Sequence, residues 1–394
     1  MKYDIAIIGS GMSGLMASIY LAEKGLNIAV ISKGDPICSV SSACIDIAGT
    51  GENTLELIDK FPKEHPYKKL DKNEILTSLR YFKELMKKQG FSYTGDIEKN
   101  RSILTPIGRY RITSLVPFTM KHANVSKNES FHIISFKDIK DFFPSYIIGN
   151  FPDTNVSIFD AGTYTTMGIA AKMDNEKFLS SFITWILSQN IKQIKIGIPA
   201  VLGITKTDKI IKRLEKDTGK LFFEIPTLPP SIPGLRLYRN LKDIAEKKGV
   251  EFYGSADISG FKNENNKLLN ITIKKPGRPD TIEAKGFILA TGSFVSGGLF
   301  LDKNSFKETV FNLPVYAPEV KELFNEDFFK LGHPIEKSGI LIDSKFQAVK
   351  SGYSNLFIAG SIIAHSQIMK YQCGHGMAIS TGIAAAKNAE EYVK

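Results

Sequence analysis

The stretch Lys2-Tyr3-Asp4-Ile5-Ala6-Ile7-Ile8-Gly9-Ser10-Gly11-Met12-Ser13-Gly14, together with Ile28-Ala29-Val30-Ile31, decides the fold. Residues 2–8 form a short apolar run with β-branched members, the pattern of a buried strand. Gly9-x-Gly11-x-x-Gly14 follows at once, and residues 15–24 carry apolar side chains at helical spacing, with Leu15, Ile19 and Ala22 in one stripe. Gly25 ends that helix, and residues 28–31 read as a second apolar strand. Each glycine of the motif has a mechanical reason. Gly9 permits the tight turn, Gly11 lets a phosphate or pyrophosphate reach the backbone, and Gly14 lets helix and strand pack closely. The helix N-terminus then offers unpaired N–H groups and the positive end of its dipole to the anion. One element of the pattern is absent. An acid normally stands about 20 residues further on, at the end of the second strand, to hold ribose hydroxyls. Ser32-Lys33 occupy that place and the nearest acid is Asp35. FMN, which has no adenosine, would not need that carboxylate.

Composition sets the bounds. The 394 residues suffice for two domains and a large core, and 43% hydrophobic with 23% charged residues is ordinary for a globular protein. A net charge of +10 comes mostly from lysine. It is a solvated basic surface or a preference for anionic substrates, an acidic partner or a membrane surface. No run of Lys and Arg points to nucleic acid. The three cysteines, Cys38, Cys44 and Cys373, show no CxxC spacing. Neither a disulfide framework nor a zinc or iron–sulfur site is expected, and a reducing cytoplasm is the default. No signal peptide and no membrane span are expected.

Small and hydroxyl residues dominate positions 39–49, where Ser41 and Ser42 offer hydroxyls to phosphate or ring atoms of a cofactor. Residues 54–90 read mostly as helix, with Asn53 or Thr54 as a cap and a second helix over 72–88. From about residue 102 short runs broken by Pro and Gly suggest a second domain of antiparallel strands. A helix over 174–188 capped by Asp174, another over 207–216, a stiff proline-rich loop at 228–237 and a short helix over 241–248 follow. Strands are expected at 250–253, 268–274 and 281–284, the last two joined by a turn at Lys275-Pro276-Gly277-Arg278. Gly286-Phe287-Ile288-Leu289-Ala290-Thr291-Gly292-Ser293 repeats the opening idea of a strand breaking into glycine, and Leu356-Phe357-Ile358-Ala359-Gly360-Ser361 repeats it again. Gln372-Cys373-Gly374-His375-Gly376 opens a last helix that runs to about Val393, a place to stabilise negative charge on a reduced flavin ring.

Taken together, these segments resemble the B subunit of the anaerobic glycerol-3-phosphate dehydrogenases, flavoproteins related to the fumarate reductase flavoprotein group. The matching segments are the opening motif, Ser41-Ser42 with Asp46, Thr105-Pro106-Ile107-Gly108, and Leu228-Pro229-Pro230-Ser231 with Gly234-Leu235-Arg236-Leu237. Ala290-Thr291-Gly292-Ser293-Phe294 with Gly298-Leu299, and Cys373-Gly374-x-Gly376 followed by Thr381-Gly382, complete them. His375 stands where a small residue is expected. The resemblance implies FMN as cofactor, whereas the glycine motif implies FAD. It also implies two partners, a catalytic A subunit and a membrane-associated iron–sulfur C subunit. Such a complex sits at the inner face of the cell membrane, oxidises sn-glycerol 3-phosphate to dihydroxyacetone phosphate and sends electrons to a quinone pool.

The expected architecture is α/β. A discontinuous, doubly wound, Rossmann-like flavin domain (residues 1–100 and 236–394) carries an inserted smaller β-rich α+β domain (residues 101–235). Expected cofactor contacts are Gly9, Gly11, Gly14, Lys33, Ser41, Ser42, Thr291, Gly292, Gly360, Gly374 and Gly376. Arg109, Arg111, Arg236 and Arg239 are the candidates for a substrate phosphate, since a guanidinium grips phosphate with two donors. His333, His365 and His375 are candidate proton carriers. No acid–base pair is recognisable. A flavin-binding electron-transfer or scaffold subunit without substrate, and a stand-alone flavin dehydrogenase for another substrate, are the rival readings.

Overall fold

The fold was analysed in a computed structural model, which describes residues 2–49, 51–274, 279–303, 305–324, 327 and 332–394. The chain divides into two compact units. The first comprises Met1–Ile37, Asp46–Phe82 and Leu241–Lys394; the second comprises Cys38–Ile45 and Lys83–Asn240.

In the first unit, strand β1 (Lys2–Ile8), helix α1 (Met12–Glu23) and strand β2 (Ile28–Ile31) form as the opening sequence dictates. Strands β3 (Glu251–Tyr253), β4 (Asp257–Glu264), β5 (Lys267–Lys274), β6 (Asp280–Leu289) and β7 (Leu356–Ile358) complete a seven-stranded sheet among the described residues. From β1 the chain winds outward through β2 to β3, all parallel. It later returns to lay β6 parallel to β1 on the other side, with β7 parallel to the end of β6. The winding therefore reverses at β1, and doubly wound sheets hold ligands outside the carboxyl ends of strands at such a reversal. Antiparallel pairing in this sheet is confined to β4 with β5 and β5 with the first half of β6, among the described residues. The carboxyl halves of the central strands, residues 5–8, 28–31, 287–289 and 356–358, are all Ile, Val, Ala, Leu and Phe and wholly buried, as a sheet covered on both faces requires. Helix α2 (Gly374–Val393) is buried along most of its length. A Cβ on Gly382 would stand 2.5 Å from the carbonyl oxygen of Ser13, so this glycine lets α2 approach α1 closely.

The second unit differs from the sequence expectation. Its main sheet is wholly parallel, in the order Leu221–Ile225, Lys195–Pro199, His132–Phe136, Asn155–Phe159. Among the described residues of this unit, antiparallel pairing is confined to two small ladders, Tyr93–Gly95 with Leu115–Pro117 and Arg101–Leu104 with Tyr110–Thr113, and the single bridge of Ile45 with Leu115. The reason lies in the intervening helices Thr166–Met173, Glu176–Ser188 and Thr207–Thr218, which supply the long crossovers that parallel strands need. Phe131, Phe136, Phe182, Phe222 and Phe223 fill the core.

Four local expectations are also corrected. Asn175, not Asp174, caps the helix Glu176–Ser188, accepting from the N–H groups of Lys177 and Phe178. Asp174 instead accepts from the N–H groups of Ile204, Thr205 and Lys206. The proline-rich segment becomes helical at Ile232, and the helix Ile232–Lys247 carries Pro233 in its first turn, where no N–H is needed. Strand β4 is an addition, and Asp280–Leu289 form one continuous strand. The turn expected at Lys275-Pro276-Gly277-Arg278 lies outside the described residues.

Candidate functional site

The carboxyl edge of the first unit's sheet gathers three glycine turns. Ala290 N–H donates to Ile8 O at 2.8 Å, and Ala359 N–H donates to Leu289 O at 2.9 Å, so β1, β6 and β7 end side by side. Gly9 has φ +116°, and a Cβ there would lie 2.2 Å from Ala290 O. A Cβ on Gly14 would lie 2.0 Å from Gly9 O. Gly360, at φ +79°, faces Ser13 of α1, with 2.4 Å between its ideal Cβ and Ser13 Oγ. Its N–H donates to Thr381 Oγ1 at 3.0 Å. Gly292 has φ +77°, and its carbonyl would be only 1.9 Å from a Cβ on Gly298. The structure thus brings Gly9, Gly14, Thr291, Gly292 and Gly360 together through the protein's own packing.

Gly11 is different. It is the N-cap of α1, no side chain caps the helix there, and nothing lies within 4 Å of its ideal Cβ. Packing therefore does not demand glycine at this position. What the missing side chain leaves open is the approach to the N-terminal N–H groups of a twelve-residue helix. Beside it, the hydroxyls of Ser10 and Thr291 are buried without a hydrogen-bond partner. Buried hydroxyls in that state call for a partner from outside the chain, an ordered water or a bound group. These features suit the phosphate end of a dinucleotide cofactor.

Lys33 leaves the end of β2 and places its Nζ 3.1 Å from Asp257 Oδ2. Gly374 and Gly376 open α2. Gly374 has open space at its ideal Cβ. Gly376 does not bare its N–H as expected, because that group donates to Asp46 O at 3.0 Å. The same turn adjoins Tyr67, whose hydroxyl would be 2.7 Å from a Cβ on Gly376 and has no hydrogen-bond partner. Next to it is His65, which the sequence reading passed over. His65 Nδ1 accepts from Tyr67 N–H at 3.2 Å, so the ring proton sits on Nε2, 3.1 Å from Ser366 O and 3.7 Å from Cys373 Sγ. Burial lowers the His65 pKa to about 3 and holds the imidazole neutral, and burial pushes the Cys373 thiol up. The one sequence signal for this cluster was His65-Pro66, a helix-start dipeptide: His65 caps the short helical turn Pro66–Lys69.

Ser41 and Ser42 belong to the second unit. Ser41 Oγ donates to Cys38 O at 2.8 Å, and Ser42 Oγ accepts from Arg111 Nη1 at 2.9 Å. Ser231 Oγ reaches Ser41 O at 2.5 Å, and a Cβ on Gly234 would collide with the carbonyls of Cys38, Ser39 and Ser41. That close approach explains the glycine in the proline-rich segment. Arg109 is exposed in the turn between the strands Arg101–Leu104 and Tyr110–Thr113, and Arg239 is exposed on its helix. Arg236 is wholly buried. Its Nη1 and Nη2 sit 2.7 and 3.0 Å from the two oxygens of Glu224, and Nε donates to Gly203 O. All three guanidinium nitrogens are committed inside the unit rather than to a phosphate arriving from solvent. Of the histidines, His333 caps a helical turn at Pro334–Lys337, and His365 lies against the Tyr316 ring with its pKa lowered by burial. His375 is half-buried in the first turn of α2.

Comparison with known proteins gives first the class. Residues 4–123 match the family model described as an FAD binding domain. FAD, the form of flavin implied by the glycine motif, is the cofactor this segment fits. The more particular likeness spans the whole chain. The B subunit of anaerobic glycerol-3-phosphate dehydrogenase from Actinobacillus pleuropneumoniae serotype 5b is 27% identical, covering 98% of this chain and 99% of that protein. The protein of the same name from Aliivibrio fischeri strain MJ11 is 29% identical, covering 100% and 96%. The resemblance read from the motifs thus holds along the full length. Among solved structures, an open conformation of a flavocytochrome c3 fumarate reductase superposes with a TM-score of 0.47 at 8% identity, covering 100% of this chain and 78% of that one. No helix among the described residues is long and apolar enough to cross a membrane.

Proposed function

We propose that this chain is the flavin-binding B subunit of an anaerobic glycerol-3-phosphate dehydrogenase. In that role it works beside a catalytic A subunit and an iron–sulfur C subunit at the membrane. The complex oxidises sn-glycerol 3-phosphate to dihydroxyacetone phosphate and passes the electrons toward quinone. The observation that carries this reading is the similarity to the B subunit over 98% of the chain and 99% of the relative. The flavin, when bound, supplies two-electron acceptance and one-electron release. The chain's own groups hold it. Gly11 and the N-terminal N–H groups of α1 receive the pyrophosphate, Ser10 and Thr291 complete their hydrogen bonds on it, and Gly9, Gly14, Gly292 and Gly360 keep the surrounding turns in place. Gly374 keeps the start of α2 accessible. Arg111, steadied by Ser42, is the strongest of the four arginines for a substrate phosphate.

A second reading, a flavin protein that carries electrons without touching substrate, is favoured by one observation: Arg236 is spent on Glu224 inside the second unit. Co-expression with the partner proteins, chromatography of the extracted flavin and reduction of an artificial acceptor by glycerol 3-phosphate test both. The first reading requires FAD or FMN in the chain and a raised KM for glycerol 3-phosphate in Arg111→Ala. An unchanged KM in that variant leaves the electron-carrying reading. Absence of flavin from the assembled complex removes both.

A further inference from the structure

We infer that Asp257 supplies the carboxylate that holds the adenosine ribose of FAD, with Lys33 as its positioning partner. The inference rests on the FAD reading above and names the residue that separates FAD from FMN in this site. The end of β2 presents Ser32-Lys33, where dinucleotide folds usually place an acid. The fold brings an acid to that same edge from more than two hundred positions along the chain. Strand β3 pairs with β2 in the register Glu251↔Ala29, Phe252↔Val30, Tyr253↔Ile31. Past the strand ends the two segments stay joined, with Ser32 N–H on Tyr253 O at 2.9 Å and Ala256 N–H on Ser32 O at 3.0 Å. Asp257 is the next residue.

Its Oδ2 lies 3.1 Å from Lys33 Nζ, which fixes the carboxylate at the carboxyl end of β2. The glycine turn leaves from this edge too, since Gly9 N–H donates to Ile31 O at 2.8 Å. The Lys33 and Asp257 side chains are 79% and 58% exposed, so the pair adds little to stability and internal packing does not account for it. A carboxylate accepts hydrogen bonds and a ribose diol donates them. FMN has ribityl hydroxyls but no adenosine ribose, so this contact exists for FAD alone.

The test is titration of the flavin-free protein with FAD and, separately, with FMN. Asp257→Ala is expected to weaken FAD by at least about tenfold, the loss of a hydrogen bond to a charged group, and to leave FMN unchanged. Asp257→Glu is expected to recover most of the loss, and Lys33→Ala to show a smaller, FAD-only loss. If Asp257→Ala does not fold, judged by thermal melting, Asp257→Asn serves in the same measurement. FAD affinity equal to wild type in the Asp257 variants overturns the inference while the FAD reading stands. Equal weakening of FAD and FMN overturns it as well. A wild-type protein that takes up FMN only, or neither flavin, overturns both.

Discussion

The three motif glycines separate by what surrounds them, and this yields a graded prediction. At Gly9 an alanine Cβ would sit 2.2 Å from Ala290 O at φ +116°. Strained backbone and overpacking together cost roughly 2–6 kcal/mol. At Gly14 the clash is with Gly9 O at 2.0 Å. Overpacking of about 1–3 kcal/mol or more is partly offset by up to about 1 kcal/mol of helix propensity. At Gly11 nothing lies within 4 Å, and alanine loses only the modest preference of an N-cap for glycine, about 1 kcal/mol or less. The order of melting temperatures for the flavin-free protein is therefore wild type, Gly11→Ala, then Gly14→Ala and Gly9→Ala well below. Flavin affinity follows another order. Gly11→Leu fills the approach to the helix N-terminus, and loss of two charge-assisted bonds of about 1.5–3 kcal/mol each is at least about a hundredfold in affinity. Circular dichroism melts and fluorescence titration with FAD read the two quantities separately. Wild-type FAD affinity in Gly11→Leu, or a Gly11→Ala melt as low as that of Gly9→Ala, refutes the reasoning.

Three further outcomes follow from the same geometry. Arg236→Ala leaves the Glu224 carboxylate buried without its guanidinium and is expected to cost about 3–5 kcal/mol in denaturant unfolding, whereas Arg236→Met with Glu224→Gln, which removes the charge and keeps an acceptor for the Leu202 N–H and the Thr119 hydroxyl, recovers most of it; equal losses in both refute the pairing argument. His65 is neutral when folded, with a pKa near 3 against an ordinary 6.5. Its contribution is therefore complete above pH 6.5 and falls by about 1.4 kcal/mol for each pH unit below it, down to about pH 3. His65→Gln should flatten that part of the stability–pH curve, and an unaltered slope counts against the assignment. Tyr67→Phe removes a buried hydroxyl that has no partner, so stability should hold or rise. A loss above about 1 kcal/mol would mean that the hydroxyl is engaged.

The opening βαβ arrangement and the final helix were legible in the sequence because each carries its own punctuation: a glycine turn, an apolar period and a stop. The parallel sheet of the second unit was not. Its strands are short apolar runs, and direction depends on crossover helices that pack only in three dimensions. The pairings that matter most at the candidate site were hidden for a related reason. Asp257 meets Lys33, and His65 meets Ser366 and Cys373, across hundreds of residues. Arg236 looked like a phosphate ligand by type; only the proximity of Glu224 revealed an internal pair.

The packing of α2 on α1, with Gly382 seated against Ser13, has a consequence for biosynthesis. Strand β1 and its glycine turn are translated well before their neighbours β6, β7 and α2, which follow only after residue 279. At ordinary elongation rates that interval lasts on the order of tens of seconds. Throughout it the nascent N-terminal segment can pair with β2 but has neither β6, β7 nor α2 to pack on, so cofactor loading is expected only once α2 has been made. Truncations that remove only α2 should yield colourless chains even though every residue of the G-x-G-x-x-G motif is intact.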